Sequence, residues 1–501
     1  MKPNRSLAGW LTLLALSTLN FQPSTAFAQG TSVYPVATNG AVTQYGGGLA
    51  SDGTNYLLVF SSGSTNCAQL VSSNGTLVGS QIVLSGGATG MPPELQVVSG
   101  KTNYLAVWSD GTINSGVDIF GQFISRSGAK VGSSFPLLQS VGSHGFQGIE
   151  SLACDGTNFL VVWQDEKGLE TSGGASTNVS YGQLVTSSGV LSGSEFAVAT
   201  VVAPLQAQGI GVAFGETNYL AVWQSGSNNY DSTYGGRYVA YGASISPSGA
   251  VGSRFAISQT NSPDNNDVAT AVFDGTNFLA IWNFNPGLPD VEPIDWRIHG
   301  RLVTPQGGFP GNELVLVNES NAATCSLSFD GSNYLAGWGY HLDTTNSDKN
   351  IHFRFFDRTA NPVGPVFSVF SSQGTNAPLA AGLFSGILFD GKRFAVEGML
   401  GTISIGADGT FQGIPSSLVY GAFIPASTAP PQFCAGATCA NKQFTLSLAG
   451  TPGINYAIQM TTNLVSASWT PLFTNSPTNG TFTFTDIGAT NNSRFYRAVK
   501  Q

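Results

Sequence analysis

Tyr219-Leu-Ala-Val-Trp223 is the stretch that decides the fold. In an extended chain successive side chains point to opposite faces. Tyr219, Ala221 and Trp223 then face one way, and Leu220 and Val222 the other. Both faces are apolar, so a sheet built from this strand must be covered on both sides. A sandwich covers one face of each sheet, whereas radial stacking gives every sheet two neighbours.

The stretch is one of seven. Each follows an anchor: Asp52-Gly-Thr-Asn-Tyr56, Gly100-Lys-Thr-Asn-Tyr104, Asp155-Gly-Thr-Asn-Phe159, Gly215-Glu-Thr-Asn-Tyr219, Asp274-Gly-Thr-Asn-Phe278, Asp330-Gly-Ser-Asn-Tyr334 and the degenerate Asp390-Gly-Lys-Arg-Phe394. Such regular recurrence marks a repeat architecture. An apolar strand precedes each anchor, as in Ile149–Ala153. The Asp-Gly turn reverses the chain, since glycine accepts the positive φ of a hairpin. A third strand such as Tyr181-Gly-Gln-Leu-Val185 and a fourth such as Ser134–Leu138 follow. One unit is therefore a four-stranded antiparallel meander. Val33-Tyr-Pro-Val-Ala37 reads like the fourth strand Phe135-Pro-Leu-Leu-Gln139, which predicts that the N-terminus completes the last unit and closes a ring. The fold expected is an all-β, seven-bladed propeller over 29–424, with six or eight blades left open.

The pattern resembles secreted bacterial propeller repeats of the form D-G-T-N-Y-L-V-V-W followed by Y-G-Q-L-V. That resemblance spans Val33 to about Phe423 and implies a fold and a compartment, not an activity. After a Pro-rich linker at 425–432, the features Gly450-Thr-Pro-Gly453, Thr462-Asn-Leu464 with Trp469, and Arg494-Phe-Tyr-Arg497 resemble a C-terminal module of secreted environmental bacteria. They imply an immunoglobulin- or fibronectin-like accessory β-sandwich over 433–501.

Residues 1–28 read as a secretory signal. Lys2 and Arg5 precede the apolar run Leu7–Leu19, and Ala26-Phe-Ala28 is a small-x-small cleavage site. The apolar run is short for a membrane span, so the expectation is a secreted protein without membrane insertion. The net charge of -9 gives no electrostatic reason to bind nucleic acid. Of five cysteines, Cys434 and Cys439 are placed for a local disulfide, and Cys67, Cys154 and Cys325 read as thiols inside strands.

No short catalytic motif is present, and no cofactor or metal is implied. One Asp per Asp-Gly-Thr-Asn turn is too few oxygens for calcium, while Asp and Asn make turns with their own backbone. His299 and His352 occupy the slot of Tyr181 and Tyr241 and read as structural aromatics. Trp108, Trp163, Trp223, Trp282 and Trp338 recur as core. The loops between second and third strands are irregular and crowd onto one rim. They carry Asp165 and Glu166; Tyr230, Tyr234 and Arg237; Asp295, Trp296 and Arg297; and Tyr340 and His341. Aromatic planes beside carboxylates and guanidiniums suit a glycan or an extracellular protein. The leading expectation is a non-catalytic binding or adhesion protein. The rival is a polysaccharide-active enzyme, a glycosidase or lyase, using Asp165 or Glu166 with Asp295 as acid and base.

Overall fold

In the computed structural model every described element is a strand. Segments 1–32, 38–43, 87–93, 113–115, 138–146, 166–178, 201–204, 228–237, 260–264, 286–296, 320–321, 341–350, 369–383, 406–410, 427–431, 434–437, 441–442, 450–455, 463–467, 476–480, 489–493 and residue 501 lie outside the described residues. The signal-peptide reading of 1–28 therefore lies outside them too.

Each anchor yields one four-stranded antiparallel sheet in meander order. The first contains Gln44–Ser51, Asn55–Ser62, Thr65–Ser72 and Leu77–Gly86. The second runs from Leu95–Ser99 to Lys130–Pro136, the third from Gln147–Cys154 to Leu191–Thr200, and the fourth from Leu205–Gly215 to Phe255–Ala256. The fifth runs from Asn265–Phe273 to Leu314–Val317, and the sixth from Ala322–Phe329 to Pro362–Ser368. The seventh takes Phe384–Phe389, Arg393–Ile405 and Phe411–Pro425, and its fourth strand is the N-terminal Val33–Pro35, paired Val33 to Ala422 and Tyr34 to Gly421. The first strands of successive sheets touch, and that of the first sheet touches that of the seventh. The result is a closed, propeller-like ring.

The two apolar faces of each second strand pack as their pattern requires. Tyr219, Ala221 and Trp223 lie in one core with Leu160 and Val162 of the sheet before. Leu220 and Val222 lie in another with Phe278, Ala280 and Trp282 of the sheet after. The five second-strand tryptophans, Trp108, Trp163, Trp223, Trp282 and Trp338, are at most 2% exposed, so they are core. Each stacks or tilts on the third-strand aromatic of its own sheet, Trp223 on Tyr241 at 6.2 Å and Trp338 on His352 at 5.9 Å. His299 fills that slot beside Trp282 and also meets Glu313 at 2.7 Å.

The anchor turns are held by their own aspartates. In Asp52, Asp155, Asp274, Asp330 and Asp390, one carboxylate oxygen accepts the two backbone N–H groups two and three residues on, at 2.6–2.8 Å. The glycine after each has φ between 85° and 93°. A second bond ties turn to neighbour. The Tyr334 hydroxyl donates to Asp274 of the sheet before at 2.8 Å, and Tyr56 donates to Asp390 across the ring closure. Where the preceding anchor starts with glycine instead, the next sheet has phenylalanine. The Phe159 and Phe278 rings lie over Gly100 and Gly215, in the space a Cβ would need.

The third strand's Gly-Gln pair also has a mechanical reason. The side-chain amides of Gln122 and Gln183 donate to fourth-strand carbonyls at 3.1–3.3 Å and brace a bulge there.

After Pro425, a sheet of Gln432–Phe433, Gln443–Ala449 and Thr438–Ala440, with Thr481–Asp486 also paired to Gln443–Ala449, accompanies a three-stranded sheet of Thr470–Asn475, Tyr456–Thr461 and Phe495–Lys500. Strand structure therefore reaches Pro425 and resumes at Gln432, inside both edges of the expected linker. Cys67 and Cys325 are buried free thiols and Cys154 a half-buried one. Of the pair expected to form a local disulfide, Cys434 lies outside the described residues and Cys439 sits in Thr438–Ala440. No helix among the described residues is long and apolar enough to cross a membrane.

Candidate functional site

Meander order sends the start of each first strand and the end of each second strand to the same end of the ring, opposite the anchor turns. One register level there is defined by the residue after the Trp/Phe slot of each second strand: Ser61, Ser109, Gln164, Gln224, Asn283, Gly339 and Met399. Facing them on first strands are Tyr45, Glu94, Gly148, Gln208, Asp267 and Ala323 in sheets one to six. Six sheets thus place different chemistry at one height. Two positions of the level, Glu94 and Asp267, are carboxylates three sheets apart.

Glu94 is held firmly. Its backbone N–H donates to Ser109 Oγ at 3.2 Å, and its carbonyl accepts the Ser109 N–H at 3.1 Å. Its carboxyl accepts a hydrogen bond from the Ile149 amide of the next sheet. The residue is exposed, yet loss of water around the carboxyl raises it from 4.5 to about 7, against the lowering pull of that amide. Solvent reaches part of the residue while protein crowds its carboxyl. At the same level on the second strands, Ser61, Ser109, Gln224 and Asn283 are buried, and Asn283 Oδ1 has no hydrogen-bond partner among the described residues. Glu150, half-buried, follows Ile149 at a bulge in the same strand.

A carboxyl near 7 is partly protonated at neutral pH and can donate that proton to a departing oxygen. Among the described residues no group of three or more His, Cys, Asp or Glu could hold a metal.

The loop residues expected from sequence are placed only in part. Asp165 ends a second strand opposite Gln147 and Val179. Tyr340 ends another opposite Ala322, and Arg297 opens the fifth sheet's third strand opposite Phe284. These three backbone positions are on the same end of the ring as Glu94. Glu166, Tyr230, Tyr234, Arg237, Asp295, Trp296 and His341 lie outside the described residues. The sequence reading passed over Glu94. The signal was an acid one residue before an apolar first strand, where other copies have Tyr45, Gly148, Gln208, Ala323 and, as the one other acid, Asp267.

No known protein family and no curated protein matches the chain. Solved structures do. An α-L-arabinofuranosidase from Fusarium graminearum, in complex with an iminosugar inhibitor, is 10% identical, with 63% of this chain and 89% of that one covered and a TM-score of 0.40. An endo-arabinase from Bacteroides thetaiotaomicron is 12% identical, covering 56% and 98%, with a TM-score of 0.32. The haemagglutinin-neuraminidase of parainfluenza virus 5 is 10% identical, covering 79% and 96%, with a TM-score of 0.40. The likeness is one of general architecture and transfers no residue. Glycoside hydrolases recur among such neighbours, which runs against the expectation of a non-catalytic binding or adhesion protein, and that expectation is withdrawn.

Proposed function

We propose that the protein is an extracellular polysaccharide-active enzyme of glycosidase type, with its site at the end of the ring that carries Glu94. In this reading the ring is a seven-bladed propeller and the two C-terminal sheets form an accessory sandwich. The supporting observation is Glu94 itself, a carboxyl raised to about 7 by loss of water, anchored on Ser109 and met by the Ile149 amide of the next sheet. Glycoside hydrolysis needs such a proton donor and a second carboxylate on the far side of the bond. Glu94 gives its proton to the glycosidic oxygen as the carbon–oxygen bond breaks. Water adds its hydroxyl to the anomeric carbon and yields its proton to the second carboxylate. Asp267, at the same register level, and Glu150, beside Ile149, are the positions from which that carboxylate would come. Amide and hydroxyl side chains suit the hydroxyl groups of a sugar, and an acidic chain suits a neutral polymer better than a polyanion.

The test is release of reducing ends from a polysaccharide panel that includes arabinan. The mature chain is expected to release sugar from at least one member, and Glu94→Gln to lose about 10²–10⁴-fold in rate with its melting temperature unchanged. Wild-type activity that survives Glu94→Gln removes Glu94 from the role. A panel with no release at all removes the enzyme reading.

A further inference from the structure

The seventh sheet breaks a rule that its sisters keep. In each sheet one row runs from the second strand across the third to the fourth, on the face toward the next sheet. It reads Val107, Gly121, Phe135 in the second sheet, Val162, Gly182, Phe196 in the third and Val222, Gly242, Phe255 in the fourth. The fifth has Ile281, Gly300, Leu314, the first Val59, Ala68, Ile82, and the sixth Gly337, Phe353, Phe367. Every member is apolar. In the second to fourth sheets the fourth-strand ring lies over the glycine, where a Cβ would collide with it.

In the seventh sheet the row is Glu397, Gly421, Tyr34. The Tyr34 ring, hydroxyl included, lies over Gly421, and so extends along the row toward Glu397. Glu397 is 0% exposed and Tyr34 6%. Among the described residues, neither carboxylate oxygen of Glu397 and not the Tyr34 hydroxyl has a hydrogen-bond partner of good geometry. Two polar residues thus enter the same row together, one from each strand flanking Gly421. They do so at the joint where the N-terminal strand meets the last sheet.

We propose that Tyr34 and Glu397 form a polar latch that selects the N-terminal strand as the ring's closing strand, and that this seam loosens as Glu397 ionises. The two groups do not bond each other in the arrangement seen, but the native strand brings a hydroxyl onto the row of Glu397, whereas an apolar strand in its place would leave the carboxyl in wholly apolar surroundings. A strand slipped by one residue would put Tyr34 on the other face. The titratable groups packed at the seam are Tyr34 from the closing strand and Tyr45, Tyr56 and the Cys67 thiol from the first sheet, and burial pushes that thiol up, so it stays uncharged. The charged groups of the same strand's anchor turn, Arg393 and Asp390, pair with each other at 3.8 Å. None of these neutralises a Glu397 carboxylate. Burial therefore holds its carboxyl well above the ordinary 4.5, eased only by the nearby Gly48 amide. For an acid raised in the fold, the proton is bound more tightly folded than unfolded. The latch is at full strength below the ordinary carboxyl range and weakens as pH climbs toward the folded value.

Amide hydrogen exchange of the mature chain at pH 5 and pH 8, corrected for intrinsic rates, reads this directly. Protection in Val33–Pro35 and Phe411–Pro425 is expected to fall at least tenfold from pH 5 to pH 8, with the second to fifth sheets unchanged. Glu397→Gln should abolish the fall. The double variant Tyr34→Phe, Glu397→Val, which writes the sister sheets' row into the seventh, covers the case in which Glu397→Gln does not fold, and should be pH-insensitive at the seam. A loss shared equally by all sheets, or one that persists in either variant, overturns the latch.

Discussion

The two ends of the ring are built on opposite plans. At the anchor end, five aspartates close the same turn with the same two bonds, and tyrosines or phenylalanines link sheet to sheet. At the other end, the level that holds Glu94 has a different residue in nearly every sheet. Repetition is what a scaffold needs, because identical interfaces close a ring without strain at one joint. A site for a sugar needs the reverse, since its ligand has no rotational symmetry. The place where a repeat stops repeating is therefore where function is to be sought.

The contrast breaks first at Glu94. Substitution by Gln is expected to cost about 10²–10⁴ in rate and nothing measurable in stability. Wild-type activity should decline above about pH 7, because the donor must be protonated, and the alkaline limb should be missing from any residual Glu94→Gln activity. A pH–rate profile on a released-sugar assay checks both.

The scaffold side should respond in the opposite sense. Trp223→Ala opens a cavity between two sheets and is expected to cost about 3–5 kcal/mol by chemical denaturation. Turnover per folded molecule should stay as it was, and a loss of turnover without a loss of stability would undo the division between the two ends. Tyr334→Phe removes one buried bond to Asp274 and should cost about 0.5–1.5 kcal/mol. The smallest effect sharpens the rule. Phe394 follows Asp330 rather than a glycine and is the one sheet that departs from the Tyr-after-Asp pattern. Phe394→Tyr restores the pattern, and a gain of up to ~1 kcal/mol in thermal unfolding is expected.

The scaffold was legible because it is written seven times. The Asp-Gly-Thr-Asn turns, the two-faced second strands and the closing strand, whose Tyr34 aligns with Phe135, all follow from local chemistry repeated at an interval. The first-strand bulges, such as that between Gly46 and Gly48, were not legible, since they answer to contacts with neighbouring sheets. The site was harder still. Sequence reading favoured loops for their irregular length, whereas Glu94 is a single changed letter at the edge of a regular strand. Its carboxyl is raised by loss of water and meets the Ile149 amide of another sheet, and no one-dimensional pattern reports that crowding. Glu397 was missed for a related reason: one acid among valines looks like noise until Tyr34 is seen on the same row.

Closure by Val33–Pro35 against Phe411–Pro425 also orders events during synthesis. The earliest strand of the ring has no partner until the latest one emerges from the ribosome, so the nascent chain carries a raw sheet edge for nearly its whole length. A message cut short anywhere before that last strand would yield an open crescent with two sticky rims, prone to joining its copies.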